Sequence, residues 1–129
     1  MARALNGYGM RLLLISLLLG WVVARAGELR VLVQSSPLAG FAHYAAPDRW
    51  PAMKAGDRLD LVREPANPHD DYAVRVDWHG EKLGYLPRAD NRAVAEELDR
   101  GGRVEARIAR LRSHPNPRER VLIDVYVAL

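Results

Sequence analysis

No cysteine occurs in the 129 residues. That excludes disulfides, a thiolate nucleophile, cysteine metal sites and a lipid anchor on a cleavage-site cysteine. No G-x-S-x-G, H-E-x-x-H or phosphate-cradling glycine loop is present, so the common hydrolase and nucleotide-binding signatures are missing. Internal repeats and low-complexity tracts are absent as well. The one long apolar run, Leu12 to Val23, is interrupted by Ser16 and Gly20 and falls short of the roughly 20 residues a spanning helix needs.

That run organises the N-terminus. Arg3 and Arg11 precede or open it without a nearby acid, and Ala24-Arg25-Ala26 follows as the small-x-small pattern a signal peptidase reads. Residues 1–26 are expected to be a signal peptide, and the protein to be periplasmic or secreted after cleavage near Ala26. The alternative is a membrane anchor over residues 12–23. The net charge of +3 equals the contribution of Arg3, Arg11 and Arg25, so residues 27–129 balance. No global positive field remains to collect nucleic acid, although a local patch can still do so. Residues 27–129 suffice for one small domain with one core.

Within that domain, the β-branched content of Leu29–Ala42 predicts a strand, bent near Ser35-Ser36-Pro37. AAPDRWPAMKAG, residues 45–56, reads as a surface connection with Trp50 folded back. Leu59 and Leu61 alternate with Arg58 and Asp60, as in a half-buried strand. Tyr72–Trp78 alternates too, His79-Gly80 turns the chain, and EKLGYLP returns as a hairpin partner. Gly84 inside that strand marks a bulge or a close backbone approach. DNRAVAEELDR, residues 90–100, reads as a helix capped by Asp90 and ended by Gly101-Gly102. RVEARIARL and RVLIDVYVAL complete the set as strands. Strands, one clear helix, then two strands predict a mainly β (α+β) antiparallel domain or small barrel.

The chemistry concentrates in REPANPHDDYAVRV, residues 63–76. Pro65 and Pro68 stiffen it, and Asn67 and Asp70 can close Asx turns. Asn67 reads first as a loop-shaping residue, with a ligand contact left open. His69 and Tyr72 are candidates to stack on a base or sugar, and Tyr72 can equally pack as the first strand residue. In GFAHY, residues 40–44, Phe41 reads as core, while His43 and Tyr44 stay available. His43, His69, Asp70 and Asp71 have acceptable types for zinc but no diagnostic spacing, so no metal and no cofactor is predicted.

These residues resemble the HIRAN domain family. The resemblance rests on Arg63-Glu64-Pro65, Asn67-Pro68, Asp70, Ala73-Val74, Val76, Gly80 and Leu83-Gly84-Tyr85-Leu86-Pro87-Arg88, with Gly40–Tyr44 as the upstream aromatic element. It covers the chain from about Leu29 to Leu129. It implies an OB-like antiparallel β-barrel of about six strands with one or two short helices. It also implies a non-enzymatic module that binds the 3′ end of single-stranded DNA. The ligand-binding residues it implies are His43, Tyr44, Arg63, Asn67, His69, Asp70, Tyr72, Tyr85 and Arg88. Asp70 matches the acidic position that accepts from a terminal hydroxyl, and Arg63 or Arg88 would face phosphate. The sequence departs from DNA-binding relatives at Ala42 and His43, where they carry Arg and Tyr, at His69 for Tyr, and at Tyr72 for Asn. Losing the arginine removes a phosphate contact.

The partners implied are therefore a single-stranded nucleic-acid end or another phosphate-bearing ligand, and signal peptidase during export. An exported envelope domain that binds a protein and has lost the nucleic-acid role is the alternative. A metal-assisted hydrolase acting on phosphate-containing substrates is weaker, because its motif is absent. Sequencing the N-terminus of the protein recovered from its native cells is expected to read from Gly27; a start at Met1 would remove the export expectation.

Overall fold

Six antiparallel strands carry residues 29–129, the part that this computed structural model describes. They are β1 (Arg30–Pro37), β2 (Arg58–Arg63), β3 (Val74–Trp78), β4 (Glu81–Tyr85), β5 (Val104–Leu111) and β6 (Val121–Ala128). Two short helices interrupt them, α1 (Ala46–Arg49) and α2 (Arg92–Asp99). Tight 3-10 turns occupy Phe41–His43, Trp50–Ala52 and Pro117–Glu119. The strand order is β1-β6-β5-β2-β3-β4. β2 changes partner along its length: Arg58 and Leu59 pair with β5, whereas Asp60–Arg63 pair with β3. The expected signal segment, 1–26, and the alternative anchor, 12–23, lie outside the described residues. Among the described residues no helix is long and apolar enough to cross a membrane.

The architecture is the mainly β, OB-like one expected, with one correction. The sheet is not closed into a barrel by a continuous ladder. A single bridge joins its two edges, with Ala39 N–H donating to the Tyr85 carbonyl at 2.9 Å and Tyr85 N–H to the Ala39 carbonyl at 3.0 Å. The contact cannot lengthen, because Pro37 has no donor and Gly40, at φ 81°, turns the chain away. Gly84 permits the bridge: a Cβ there would sit 2.2 Å from the Ala39 carbonyl oxygen. The backbone approach read from Gly84 in the sequence is thus the approach of the two sheet edges.

Alternation places the core as expected. Val74, Val76 and Trp78 of β3 face inward with Leu59, Leu83, Ile108, Val121, Ile123 and Val125. Val94 and Ala95 cover one side from α2. Phe41 is buried and meets Trp50 edge to face at 5.6 Å, so the 45–56 connection does fold back on the core, although Phe41 sits in a turn and not a strand. His79 and Gly80 both take positive φ, 48° and 78°, as a two-residue primed hairpin turn requires. Tyr72 precedes β3, which begins at Val74. Asp90 does not cap α2. Asn91 occupies that place without a side-chain cap bond, and its Nδ2 donates to Asp70.

Gly84→Ala is expected to lower stability by about 1–3 kcal/mol, the range for overpacking. Urea unfolding checks this, and a wild-type midpoint would contradict the close approach.

Candidate functional site

The loop between β2 and β3 is held from inside. Asn67 Oδ1 accepts from the His69 amide and Asp70 Oδ1 from the Tyr72 amide, each at 2.9 Å, as Asx turns. Glu64 N–H reaches the Ala73 carbonyl at 3.0 Å, closing the loop base. Arg63 braces the same base. Its Nη1 donates to the Ala73 carbonyl at 3.0 Å, its Nη2 to that of Asp71 at 2.7 Å, and its Nε to Asp99 at 3.1 Å. Asp70 Oδ2 accepts from Asn91 Nδ2 at 2.6 Å, which ties the loop to the start of α2. Two prolines and this set of bonds preform the loop without a ligand.

The Gly40–Tyr44 turn makes the opposite wall. Backbone bonds pin it to β4 on both sides, Ala39 with Tyr85 and Ala45 N–H with the Lys82 carbonyl at 3.1 Å. The Tyr44 ring therefore lands beside β4, 6.0 Å from the Tyr85 ring. Lys82 Nζ lies 4.1 Å from the centre of Tyr44 and 4.5 Å from that of Tyr85, within cation–π range of both.

Between loop and turn runs a cleft of about 340 Å³, lined by Tyr44, Asn67, His69, Asp70, Tyr85 and Arg88 together with Ala39, Ala73 and Leu86. A second hollow of about 490 Å³ continues it past Asn67 and Tyr85 toward Glu64 and Lys82. Six of the nine residues singled out from the sequence thus share one cleft. His43 is exposed outside it, 6.5 Å from the Tyr44 ring. Tyr72 packs partly against the core, with the Arg92 guanidinium 5.1 Å from its ring. Arg63 lies outside the lining, with its guanidinium committed to the loop base; of the two arginines expected near phosphate, only Arg88 lines the cleft and is exposed. Among the described residues no group of three or more His, Asp or Glu side chains is placed to hold a metal.

Two members of the site were missed in the sequence. Lys82 and Tyr85 should face opposite sides of a regular strand. The β3–β4 register pairs Val76 with Gly84 but Asp77 with Lys82, leaving Leu83 as the extra residue. That bulge turns Lys82 to the side of Tyr85. Gly84 was the signal, and its consequence for Lys82 needed the register. Glu64 is the other. Its Oε1 accepts from Tyr85 Oη at 2.8 Å and Asn67 Nδ2 at 3.0 Å, and its Oε2 from Arg75 at 3.2 Å. Arg75 in turn grips Asp77 with two bonds, at 2.9 and 3.0 Å.

Charge in the site is stabilised against partial burial. Burial disfavours the Glu64 carboxylate, but the bonds from Asn67, Tyr85 and Arg75 and the charge of Lys82 outweigh it and lower its pKa from 4.5. Burial likewise disfavours the Lys82 ammonium, and its interactions with Tyr85, Tyr44 and Glu64 outweigh that, raising its pKa from 10.5. The hollow that continues the cleft therefore keeps a cation against two aromatic rings at neutral pH.

This fold and site define a class: a small OB-like β domain with an open, aromatic-walled cleft between a clamped turn and a preformed loop. Residues 31–129 match the HIRAN domain family, and the chain belongs to it. No curated protein matches the sequence. Among solved structures, a protein from Lactobacillus plantarum is similar at a TM-score of 0.68 and 22% identity, over 78% of this chain and 97% of that one. The HIRAN domain of human HLTF is similar at a TM-score of 0.55 and 20% identity, over 79% of this chain and 78% of that one. At these identities the structural likenesses establish the fold.

Because the folded pKa of Glu64 lies below its ordinary value, its carboxylate stabilises the fold above about pH 4.5 and that contribution fades as pH falls through the folded value. Glu64→Gln is expected to lower stability at pH 7 by about 1–2 kcal/mol and to flatten the decline in acid. Thermal unfolding between pH 7 and pH 3 checks this, and parallel wild-type and variant curves would contradict it.

Proposed function

We propose that the cleft binds the free 3′ end of a single-stranded nucleic acid, DNA foremost, and that the protein acts as a binding module with no catalysis of its own. Membership of the HIRAN family supports the nucleic-acid class of ligand. The observation that carries the reading is the pairing of the exposed Tyr44 ring, backed by Lys82, with the oriented Asp70 carboxylate in the same cleft. A tyrosine face stacks on any base. Lys82 and the rim residue Arg88 offer cations to phosphates. Each oxygen of Asp70 accepts one bond from the protein, from Tyr72 or Asn91, and retains a lone pair for a terminal hydroxyl. A terminal phosphate would meet that carboxylate as a like charge.

A different observation favours a second reading. β1 is an edge strand with Val31, Leu32 and Val33 about half exposed. An exported form that binds an envelope protein would use such an edge for strand addition. Capture of one protein partner from an envelope fraction, with no nucleic acid, is the outcome this reading expects.

For the leading reading, fluorescence anisotropy should show single-stranded DNA with a 3′ hydroxyl binding about tenfold tighter than its 3′-phosphorylated copy, the scale of one hydrogen bond to a charged group. Asp70→Ala should erase the difference, and Tyr44→Ala should weaken binding of both by about tenfold. Equal, weak binding of the two ends would defeat the claim of end recognition.

A further inference from the structure

The charge balance of residues 27–129 hides one polarised segment. Residues 110–120 hold Arg110, Arg112, Arg118 and Arg120 against a single acid, Glu119. They comprise the end of β5, the Pro117–Glu119 turn and the residue before β6. Glu119 is taken by Arg112 at 3.0 Å. The exposed Arg118 side chain enters none of the ion pairs among the described residues. Arg120 turns inward: its Nε donates to the His114 carbonyl at 2.7 Å, and its guanidinium lies 5.1 Å from the centre of the Phe41 ring.

Beside it the surface opens into a recess of about 300 Å³ lined by Phe41, Pro47, Trp50, Ser113 and Arg120. Trp50 is half-buried, with Phe41 against it, and contributes to the lining of the recess. The recess shares no lining residue with the cleft, yet one turn joins them. Phe41 reaches the recess and Tyr44 the cleft, three residues apart, or about 6 Å at the 3-10 rise.

We infer that this recess and the arginine-rich connection form a second anchoring surface for the same single strand. Trp50 offers an aromatic face to a base, and Arg112, Arg118 and Arg120 take backbone phosphates, on the 5′ side of the end seated at Tyr44. The inference rests on the reading of the cleft for its polarity. It adds a site of different chemistry, sequence-independent stacking with phosphate neutralisation. An acidic protein segment would match the charge but would leave the Trp50 face without a use, so nucleic acid is the assignment. The arrangement also gives residues 27–129, whose charges balance, a local positive patch beside the end-binding cleft.

The test compares the full chain with its Arg112→Gln/Arg118→Gln variant, both positions exposed, on 3′-hydroxyl oligothymidylates of about four and about twelve nucleotides across a salt series. The longer strand should bind the wild type more tightly than the shorter one. The variant should lose that gain, with its salt slope on the longer strand reduced by about 1.4, or about 0.7 for each phosphate contact removed. Binding of the shorter strand should not change. An unchanged slope, or equal loss on both strands, overturns the inference, as does a wild type that gains nothing from length. A polyglutamate peptide that displaces the longer strand as well as unlabelled DNA does would overturn the nucleic-acid assignment. Tyr44→Ala separates the two readings: no effect on the shorter strand defeats the cleft, while the length-dependent gain and its arginine dependence report on the recess alone.

Discussion

The candidate site depends on one close contact, the pair of hydrogen bonds between Ala39 and Tyr85. It joins the two edges of an otherwise open sheet, and it exists because Gly84 presents no side chain to the Ala39 carbonyl. Everything on the aromatic wall follows from it. The chain after Ala39 must turn at once, and Gly40 supplies the left-handed φ. The turn is pinned again where Ala45 meets Lys82, so Tyr44 has little freedom. On the facing wall, two prolines, two Asx turns and the Arg63 brace hold Asn67 and Asp70 in place. Both walls are ordered before a ligand arrives, which lowers the conformational cost of binding.

Electrostatics in this chain is local. The domain has no net field, and most of its ion pairs are partly exposed and worth little each. What matters is where partners are withheld. Glu64 is saturated by Asn67, Tyr85 and Arg75, so it organises the site and leaves few sites for a ligand. Lys82 sits on aromatic faces, and Arg88 and Arg118 stand exposed. Lys82, Arg88 and Arg118 thus stand beside the Tyr44 cleft and on the β5–β6 connection, where aromatic rings border a cavity. That coincidence is what separates a candidate binding surface from an ordinary solvated one.

Much of this was legible beforehand because it is local. Alternation from Val74 to Trp78 and from Val121 to Val125 predicts strands with the faces the structure shows. His79-Gly80 reads as a tight turn, and Gly101-Gly102 as a helix end; the Gly102 and Gly101 amides bond back to Glu97 and Leu98. The loop of residues 63–76 carries its stiffness in its own composition. Less legible were contacts made across the sheet. Asp90 looked like the helix cap because it precedes the periodic segment, but Asn91 is the buried residue there, drawn to Asp70 across 21 positions of sequence. Arg63 looked free to meet a phosphate; the loop carbonyls it braces are its neighbours only after the loop has closed.

The amino-acid sequence by itself determined the strand set, the preformed loop, the glycine needed for a close backbone approach and the family to which the chain belongs. These are consequences of side-chain period, fixed φ and missing Cβ atoms, all readable within a few residues. Only the tertiary structure decided which cations serve the cleft. A one-residue bulge reverses the facing of Lys82, and a single bridge decides where Tyr44 lands. Both depend on register between strands distant in sequence, and register is set by packing the whole sheet at once.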